Sequence, residues 1–155
     1  MPQIFRARAV RFFAAASCAA ALIAGLPSAA PAQATASSIL SESPAYAVAV
    51  EDVVAKVGTH AVLRVTLRPR EGYRILKAYE NRVARFSAAD DGVAFDAKMV
   101  RGDVEDDSLV FAIGVTPIKP GKHPINGVFR VGYLQGSNDL SMVSLPLIAT
   151  VTGAE

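Results

Sequence analysis

Apolar and polar residues alternate with a period of two along most of this chain, and this alternation constrains the fold more than any other feature. The apolar positions of the clearest runs are Leu63, Val65 and Leu67; Phe111, Ile113 and Val115; Phe129, Val131 and Tyr133; and Leu145, Leu147, Ala149 and Val151. Successive side chains of a β-strand point to opposite faces, so each run predicts a strand with one buried face. Turn-forming residues separate the runs, and no helices alternate with them. The sequence therefore predicts an all-β fold, an antiparallel sandwich of about seven or eight strands.

Two segments need separate treatment. Leu76, Tyr79, Val83 and Phe86 fall at helical spacing, so one amphipathic helix is an alternative there. We expect instead a loop followed by a strand from about Arg82 to Ser87. Pro146 interrupts the last run and has no amide proton for a ladder, so we expect that strand to lie at an edge or to begin beyond the proline.

The first part of the chain has the layout of a secretory signal peptide. Arg6, Arg8 and Arg11 precede the uncharged apolar run Phe12–Leu26, and a small-x-small pattern follows and ends at Ala34. The run is shorter than the roughly 20 residues that span a bilayer as a helix. We predict cleavage after Ala34. The domain boundaries expected are a signal peptide over 1–34, a flexible lead over 35–44 and the sandwich over 45–155.

Two alternatives to cleavage after Ala34 stay open. The apolar run could remain as a membrane anchor, or the chain could be lipidated at Cys18, although the leucine usual three positions before a lipidated cysteine is missing. Cleavage as predicted places the mature chain in the periplasm without a membrane anchor. It also removes the only cysteine, so no disulfide, thiolate nucleophile or thiolate metal site remains.

Charge excludes one class of partner. The chain has 16 basic and 14 acidic residues, and three of the basic ones lie in the signal peptide. The mature domain is therefore close to neutral, and no global positive field indicates nucleic acid or an anionic membrane surface. Seven basic residues between Arg64 and Arg85 predict an ordinary charged face, with an acidic partner as the alternative.

Residues able to perform chemistry are sparse. No Gly-x-Ser-x-Gly elbow occurs, and we predict that the chain is not an enzyme. We interpret His60 and His123, each beside a predicted turn, as exposed loop residues. A copper site formed by both histidines with Met99 and Met142 is an alternative, because imidazole and thioether suit copper. We predict no metal site and no cofactor.

The acidic stretch Gly102–Asp107 is a further candidate for binding. A calcium loop needs a glycine among its acidic ligands for the sharp bend and a glutamate to close it, whereas here no glycine lies among the acidic residues and no glutamate closes the loop. The sequence therefore predicts a solvated hairpin tip here.

The segment Gly132–Pro146, GYLQGSNDLSMVSLP, resembles the reactive hairpin of the N-terminal periplasmic domain of the DsbD family of thiol:disulfide interchange proteins. In that family, a strand ending in an aromatic residue leads to a Cys-Asn-Asp-x-x-Cys-like element, a proline and the last strand of an immunoglobulin-like sandwich. The stretch Arg68–Ile75, RPREGYRI, is similar to another passage of the family. The resemblance covers roughly residues 50–151 and implies an immunoglobulin-like fold.

The same resemblance also shows a departure. Asn138 and Asp139 match the Asn-Asp, but Ser137 and Met142 occupy the two cysteine positions. Neither side chain supports thiol–disulfide exchange, which requires a thiolate that attacks a disulfide sulfur. What the resemblance implies is the scaffold and a docking surface around the hairpin. The candidate partner-binding residues are Tyr133, Leu134, Gln135, Ser137, Asn138, Asp139 and Met142.

These observations together predict a non-catalytic periplasmic accessory domain. It would bind a protein partner in envelope protein or cofactor maturation, through the hairpin or by adding a strand to an exposed sheet edge. If the flanking apolar residues of the hairpin are exposed together, they form an adhesive patch, and if they are buried they are only core. A bare connecting turn is the competing interpretation of the hairpin, and a small-ligand or copper-binding module is the competing function.

Overall fold

The computed structural model describes residues 33–136 and 139–155, and every regular element in these ranges is a β-strand. The strands are β1 Gln33–Glu42, β2 Tyr46–Lys56, β3 Ala61–Pro69, β4 Tyr73–Ile75, β5 Arg82–Ala88, β6 Val93–Phe95, β7 Met99–Arg101, β8 Asp103–Glu105, β9 Ser108–Pro117, β10 Gly121–Gln135 and β11 Asp139–Ala154. The all-β prediction is confirmed. The helical alternative over residues 76–86 is wrong, because this segment is a loop followed by β5.

The strands form two layers that share β2. The hydrogen-bonded order is β6-β9-β3-β2-β11-β10-β5-β7, with β1 on β2, β8 on β9 and β4 on β10. The first half of β2 pairs antiparallel with β3, and its last residues pair in parallel with β11. The first layer is therefore β6-β9-β3-β2 and the second is β11-β10-β5-β7. This order, with β2 passing from one layer to the other, is that of an immunoglobulin-like sandwich.

Aromatic contacts show that the layers face each other. Phe111 in β9 and Phe129 in β10 are fully buried, and their ring centroids lie 5.1 Å apart. Three strands separate β9 from β10 along the sheet order, so this contact requires the sheet to fold back on itself. Phe86 in β5 and Phe95 in β6 stack at 5.2 Å across the open side. The core lies between the layers, as the alternation predicts.

Burial along β3 and the turn of the acidic stretch both follow the sequence pattern. Leu63, Val65 and Leu67 are buried and their neighbours Arg64 and Arg68 are exposed, as expected. The acidic stretch ends in a hairpin between β8 and β9, with an exposed two-residue turn at 106–107 in which both residues have positive φ. The prediction of a solvated hairpin tip is confirmed.

The predicted flexible lead over residues 35–44 is wrong for most of its length. Residues 33–42 form β1, which pairs antiparallel with β2 from Gln33 opposite Val54 to Glu42 opposite Ala47. The physical reason is that ladder hydrogen bonds are made by the backbone, so a largely small and polar segment can pair with the edge of β2. Ala45 and Tyr46, which follow, are already part of the core.

Candidate functional site

The predicted hairpin is the end of the long β10–β11 ladder. Gln135 pairs with Asp139, and the register continues without a shift to Gly121 opposite Gly153. β4 flanks the same end, with Ile75 opposite Tyr133. Ser137 and Asn138 lie outside the described residues, so the structure places only the two arms of the predicted site. Gln135 and Asp139 are exposed at its tip.

Tyr133 belongs to the packing of the sandwich. Its ring centroid lies 6.2 Å from that of Tyr46 and 5.8 Å from that of Tyr73, and it packs against the buried core. Burial raises the pKa of the Tyr46 hydroxyl in this cluster above its usual value. Tyr133 therefore holds β10 against β2 and β4.

Leu134 and Met142 lie on the opposite, outward face. Leu134 pairs with Leu140, and Met142 pairs with Gly132, so period-two alternation separates them from Tyr133. The condition for an adhesive patch of Tyr133, Leu134 and Met142 together is therefore not met, because neighbouring residues of one strand point to opposite faces. Leu134 is half-buried, whereas Leu140 and Met142 are 54% and 65% exposed.

The outward face of β11 forms an apolar stripe, which we define as Leu140, Met142, Pro146 and Ile148. Ile148 is 53% exposed, similar to Leu140, and Pro146 is exposed as well. Ser144 is the one polar residue within the stripe. Three large apolar side chains that are each more than half exposed lie together on one strand. Such contiguous apolar exposure is typical of partner-binding faces, whereas apolar residues scattered singly over a surface are not.

The backbone edge beside this stripe is open. β2 joins β11 only at residues 151–154, so among the described strands residues 139–150 pair with β10 alone. The Thr150 amide donates 3.0 Å to Asp52 Oδ1, away from β10. Amide direction alternates along a strand, so the amides of Met142, Ser144 and Ile148 point to this edge too. The nitrogen of Pro146 points to this edge as well, so the missing amide proton removes no hydrogen bond between β10 and β11. This agrees with the predicted edge position of the strand.

A row of arginines crosses the same face of the second layer. Arg130 of β10 lies opposite Arg82 of β5, which in turn lies opposite Arg101 of β7. Glu80 is 3.0 Å from Arg101 and 4.0 Å from Arg82. The sequence gives no signal of this row, because Arg101 and Arg130 lie outside the basic segment between Arg64 and Arg85 and only the strand register aligns them.

Asn81 fixes the loop that precedes β5. Its side chain is buried, its amide donates to the Leu76 carbonyl at 3.1 Å, and its Oδ1 accepts from the Gly132 amide at 2.9 Å. A side chain at Gly132 would meet the ring of Tyr79, which covers this position. The loop is thereby held against β10 next to the arginine row. A single asparagine between polar residues offered no sequence signal for this role.

A cavity of ≈ 750 Å³ lies beside the hairpin. Tyr73, Leu76, Val104 and Leu134 supply its apolar surface, and Lys77 is among the charged residues at its rim. Leu134, which pairs with Leu140 of the apolar stripe, therefore also lines this cavity. A small amphipathic ligand would find both apolar and charged contacts in this cavity.

His123 is not the exposed loop residue that its position suggested. It is 2% exposed, with Nδ1 2.7 Å from Asp90 Oδ2 and Nε2 2.8 Å from the Lys119 carbonyl oxygen. Both neighbours are acceptors, so the ring satisfies both only as an imidazolium. The hydrogen bond to Asp90 raises the pKa of His123 and lowers that of Asp90. The prediction failed because residue 123 shares the inward parity of Ile125 and Phe129.

The same contacts bear on the copper alternative. His123 has no lone pair free for a metal, and His60 Nε2 lies 2.8 Å from Asp96 Oδ2. Within residues 33–136 and 139–155, no group of three or more histidine, cysteine, aspartate or glutamate side chains could hold a metal ion. In those residues, no helix is long and apolar enough to cross a membrane.

No protein-family model matches the chain, and no curated protein sequence is significantly similar to it.

Proposed function

We propose that this chain is a non-catalytic accessory domain of the periplasm that binds a protein partner along β11. The partner contributes an extended segment that pairs with the edge of residues 139–150 and covers the apolar stripe. The observation that carries the proposal is the coincidence of an open backbone edge with Leu140, Met142 and Ile148, each more than half exposed.

Strand addition fits this edge physically. A soluble sandwich normally shields its edges with charges, prolines or a covering segment, and an open apolar edge pairs readily with another chain. Here the devices within residues 139–150 are Asp139 at the tip and Pro146, and β1 covers the edge of β2 but not that of β11. An added strand would satisfy the outward amides and remove the apolar stripe from water.

The assignment to a binding function and to the periplasm draws on the sequence. The layout of residues 1–34 is that of a cleavable export signal, and no cysteine follows it. The resemblance to the DsbD N-terminal domain supports a role beside envelope maturation, and the replacement of its cysteines by Ser137 and Met142 supports a role without electron transfer.

The experiment exploits the direction of the Ser144 amide. Ser144→Pro removes a donor from the open edge and leaves the β10 ladder intact, as Pro146 already does two residues on. Ser144→Ala is the matched control, because it keeps the amide. A photo-crosslinking residue at Ile148 captures the partner in cells, and the same residue at Val62, 50% exposed on β3, controls for surface exposure.

With the crosslinking residue at position 148, we expect one crosslinked product, and with it at position 62 we expect none. The product at position 148 should persist when Ser144→Ala is added and disappear when Ser144→Pro is added. In calorimetry, the partner identified in that product should bind the purified wild-type chain at least tenfold more tightly than it binds the Ser144→Pro variant. The melting temperatures of the wild-type chain and of Ser144→Pro should lie within a few degrees of each other. Equal crosslinking at Val62, or wild-type affinity in a folded Ser144→Pro variant, would refute strand addition at this edge.

A further inference from the structure

The arginine row is costly for the fold unless an anion occupies it. Arg130, Arg82 and Arg101 are directly opposite one another on three neighbouring strands, so their side chains share a face. Like charges in directly opposite positions destabilise a sheet. Glu80 offsets the charge at the β7 end, whereas Arg130 has no ion pair among the residues that the structure describes.

A β-bulge brings a fourth arginine to the same place. Ala84 pairs with Val128 and Ser87 with Asn126, so Arg85 and Phe86 together oppose Gly127. Arg85 has φ of 60°, a conformation that non-glycine side chains adopt at a cost of about 1–2 kcal/mol. Bulges of this kind redirect a side chain, and here Arg85 lines a shallow concavity of ≈ 210 Å³ with Arg82 and Arg130.

We infer that Arg82, Arg85 and Arg130 form an oxyanion site that receives carboxylate side chains of the partner, so that the segment bound along β11 is acidic. This inference rests on the proposed function. Planar guanidinium groups bind carboxylates in a bidentate manner, and the concavity has room for one or two such groups over the floor of Ala84 and Val128.

The position of the site relative to β11 supports this partner. Arg130 pairs with Ser144, the small residue in the middle of the apolar stripe. A strand added to β11 would lie two strand spacings, about 10 Å, from β10, which carries Arg130, and three spacings, about 14 Å, from β5, which carries Arg82 and Arg85. Arg130 is thus within the combined reach of its own side chain and a partner glutamate, and Arg82 and Arg85 extend the site toward β5. The apolar stripe would thus take the aliphatic residues of the partner segment, and the concavity its carboxylates.

The test uses purified chain, a hexaglutamate peptide and a hexaglutamine peptide of equal length. Arginine Nε–H resonances report which guanidinium groups are contacted. We expect hexaglutamate, but not hexaglutamine, to shift the signals of Arg82, Arg85 and Arg130. Arg130→Gln and Arg85→Gln should each lower the affinity for hexaglutamate at least threefold. Arg68 is an exposed arginine of β3, and Arg68→Gln should leave this affinity unchanged.

Controls separate the inference from the proposed function. Ser144→Pro should keep hexaglutamate binding, because the concavity does not use the β11 edge, so loss of one activity can be seen without loss of the other. Equal weakening by Arg68→Gln would show unspecific charge attraction and overturn the site. Inorganic phosphate binding more tightly than hexaglutamate at the same resonances would overturn the carboxylate assignment. Thermal unfolding verifies that each variant is folded.

Discussion

The hydrogen bonds of the buried His123 side chain depend on its protonation state, because both of its ring nitrogens face acceptors, Asp90 and the Lys119 carbonyl. The Asp90 carboxylate also accepts from the Gly92 amide at 3.0 Å, and Lys119 donates to the Asp90 carbonyl. Any side chain at Gly92 would overlap the imidazole. The loop before β6 and the start of β10 are therefore joined by a charged ring with little space around it.

This ion pair predicts a pH optimum of stability. The raised pKa of His123 means that its contribution is complete below about pH 6.5 and is lost as pH rises through the folded-state value. The lowered pKa of Asp90 means that its contribution is present above about pH 4 and is lost as pH falls through the folded-state value. Urea unfolding at a series of pH values should therefore give the highest free energy of unfolding between about pH 4 and pH 6.5. Lys119 opposes the protonated ring slightly and does not change the sign.

Asp90→Asn is the control for this prediction. It keeps the shape and removes the charge, so the decline in stability above pH 6.5 should become shallower. His60 serves as the comparison histidine, because it is exposed beside Asp96. A His60→Gln variant that removes the decline as effectively as Asp90→Asn would show that the buried pair is not its source.

At the scale of elements, β5 combines a strained bulge with a candidate binding role. Arg85 takes its positive φ in the middle of a strand, opposite Gly127. A side chain at Gly127 would approach Phe86 and Leu147 to 3.3 Å, so this position of β10 already has little space to spare. The bulge in β5 is therefore accommodated because β10 has a glycine, Gly127, at the opposing position.

Replacement of Arg85 by glycine should separate stability from binding. Arg85→Gly relieves the positive φ, so we expect the free energy of unfolding to stay equal or to rise by up to about 1 kcal/mol, while hexaglutamate affinity falls. Ala84→Gly, at the preceding position without positive φ, should instead cost about 0.5–1 kcal/mol. Urea unfolding of both variants measures the difference, and an equal loss in both would contradict strain at Arg85.

For the whole molecule, contacts between the two layers hold the sandwich closed. The chain has a single cysteine, Cys18, so no disulfide within the chain joins the two layers. Phe111 of the first layer and Phe129 of the second are the largest fully buried side chains, and they touch each other. Closure therefore rests on burial of apolar surface.

A double-mutant cycle tests this contact. Phe111→Leu and Phe129→Leu should each lower the free energy of unfolding by about 1–2 kcal/mol. The double variant should lose about 0.5–1.5 kcal/mol less than the sum, because the ring pair is removed once. Val62→Ala on the exposed face of β3 should change stability by less than about 0.5 kcal/mol. Strict additivity of the two phenylalanine changes would mean that the rings do not interact across the core.

The candidate site was predictable only in part. The open edge of the final strand followed from Pro146, and the outward position of Met142 followed from alternation once the register was known. Whether Tyr133 and Met142 are exposed together could not be decided from the sequence, and the register places them on opposite faces. The arginine row was not predictable, because it joins residues from three strands that are distant in sequence.

The amino-acid sequence alone determined the all-β class and the inward-facing apolar residues of the long strands, because alternation and turn chemistry are local properties of a few neighbouring residues. The tertiary structure decided which strands pair, and with them the burial of His123, the alignment of Arg130 with Arg82 and Arg101, and the open edge of β11. Strand pairing depends on register between distant segments. A shift of one residue would turn every side chain to the other face, so only the assembled sandwich defines these surfaces.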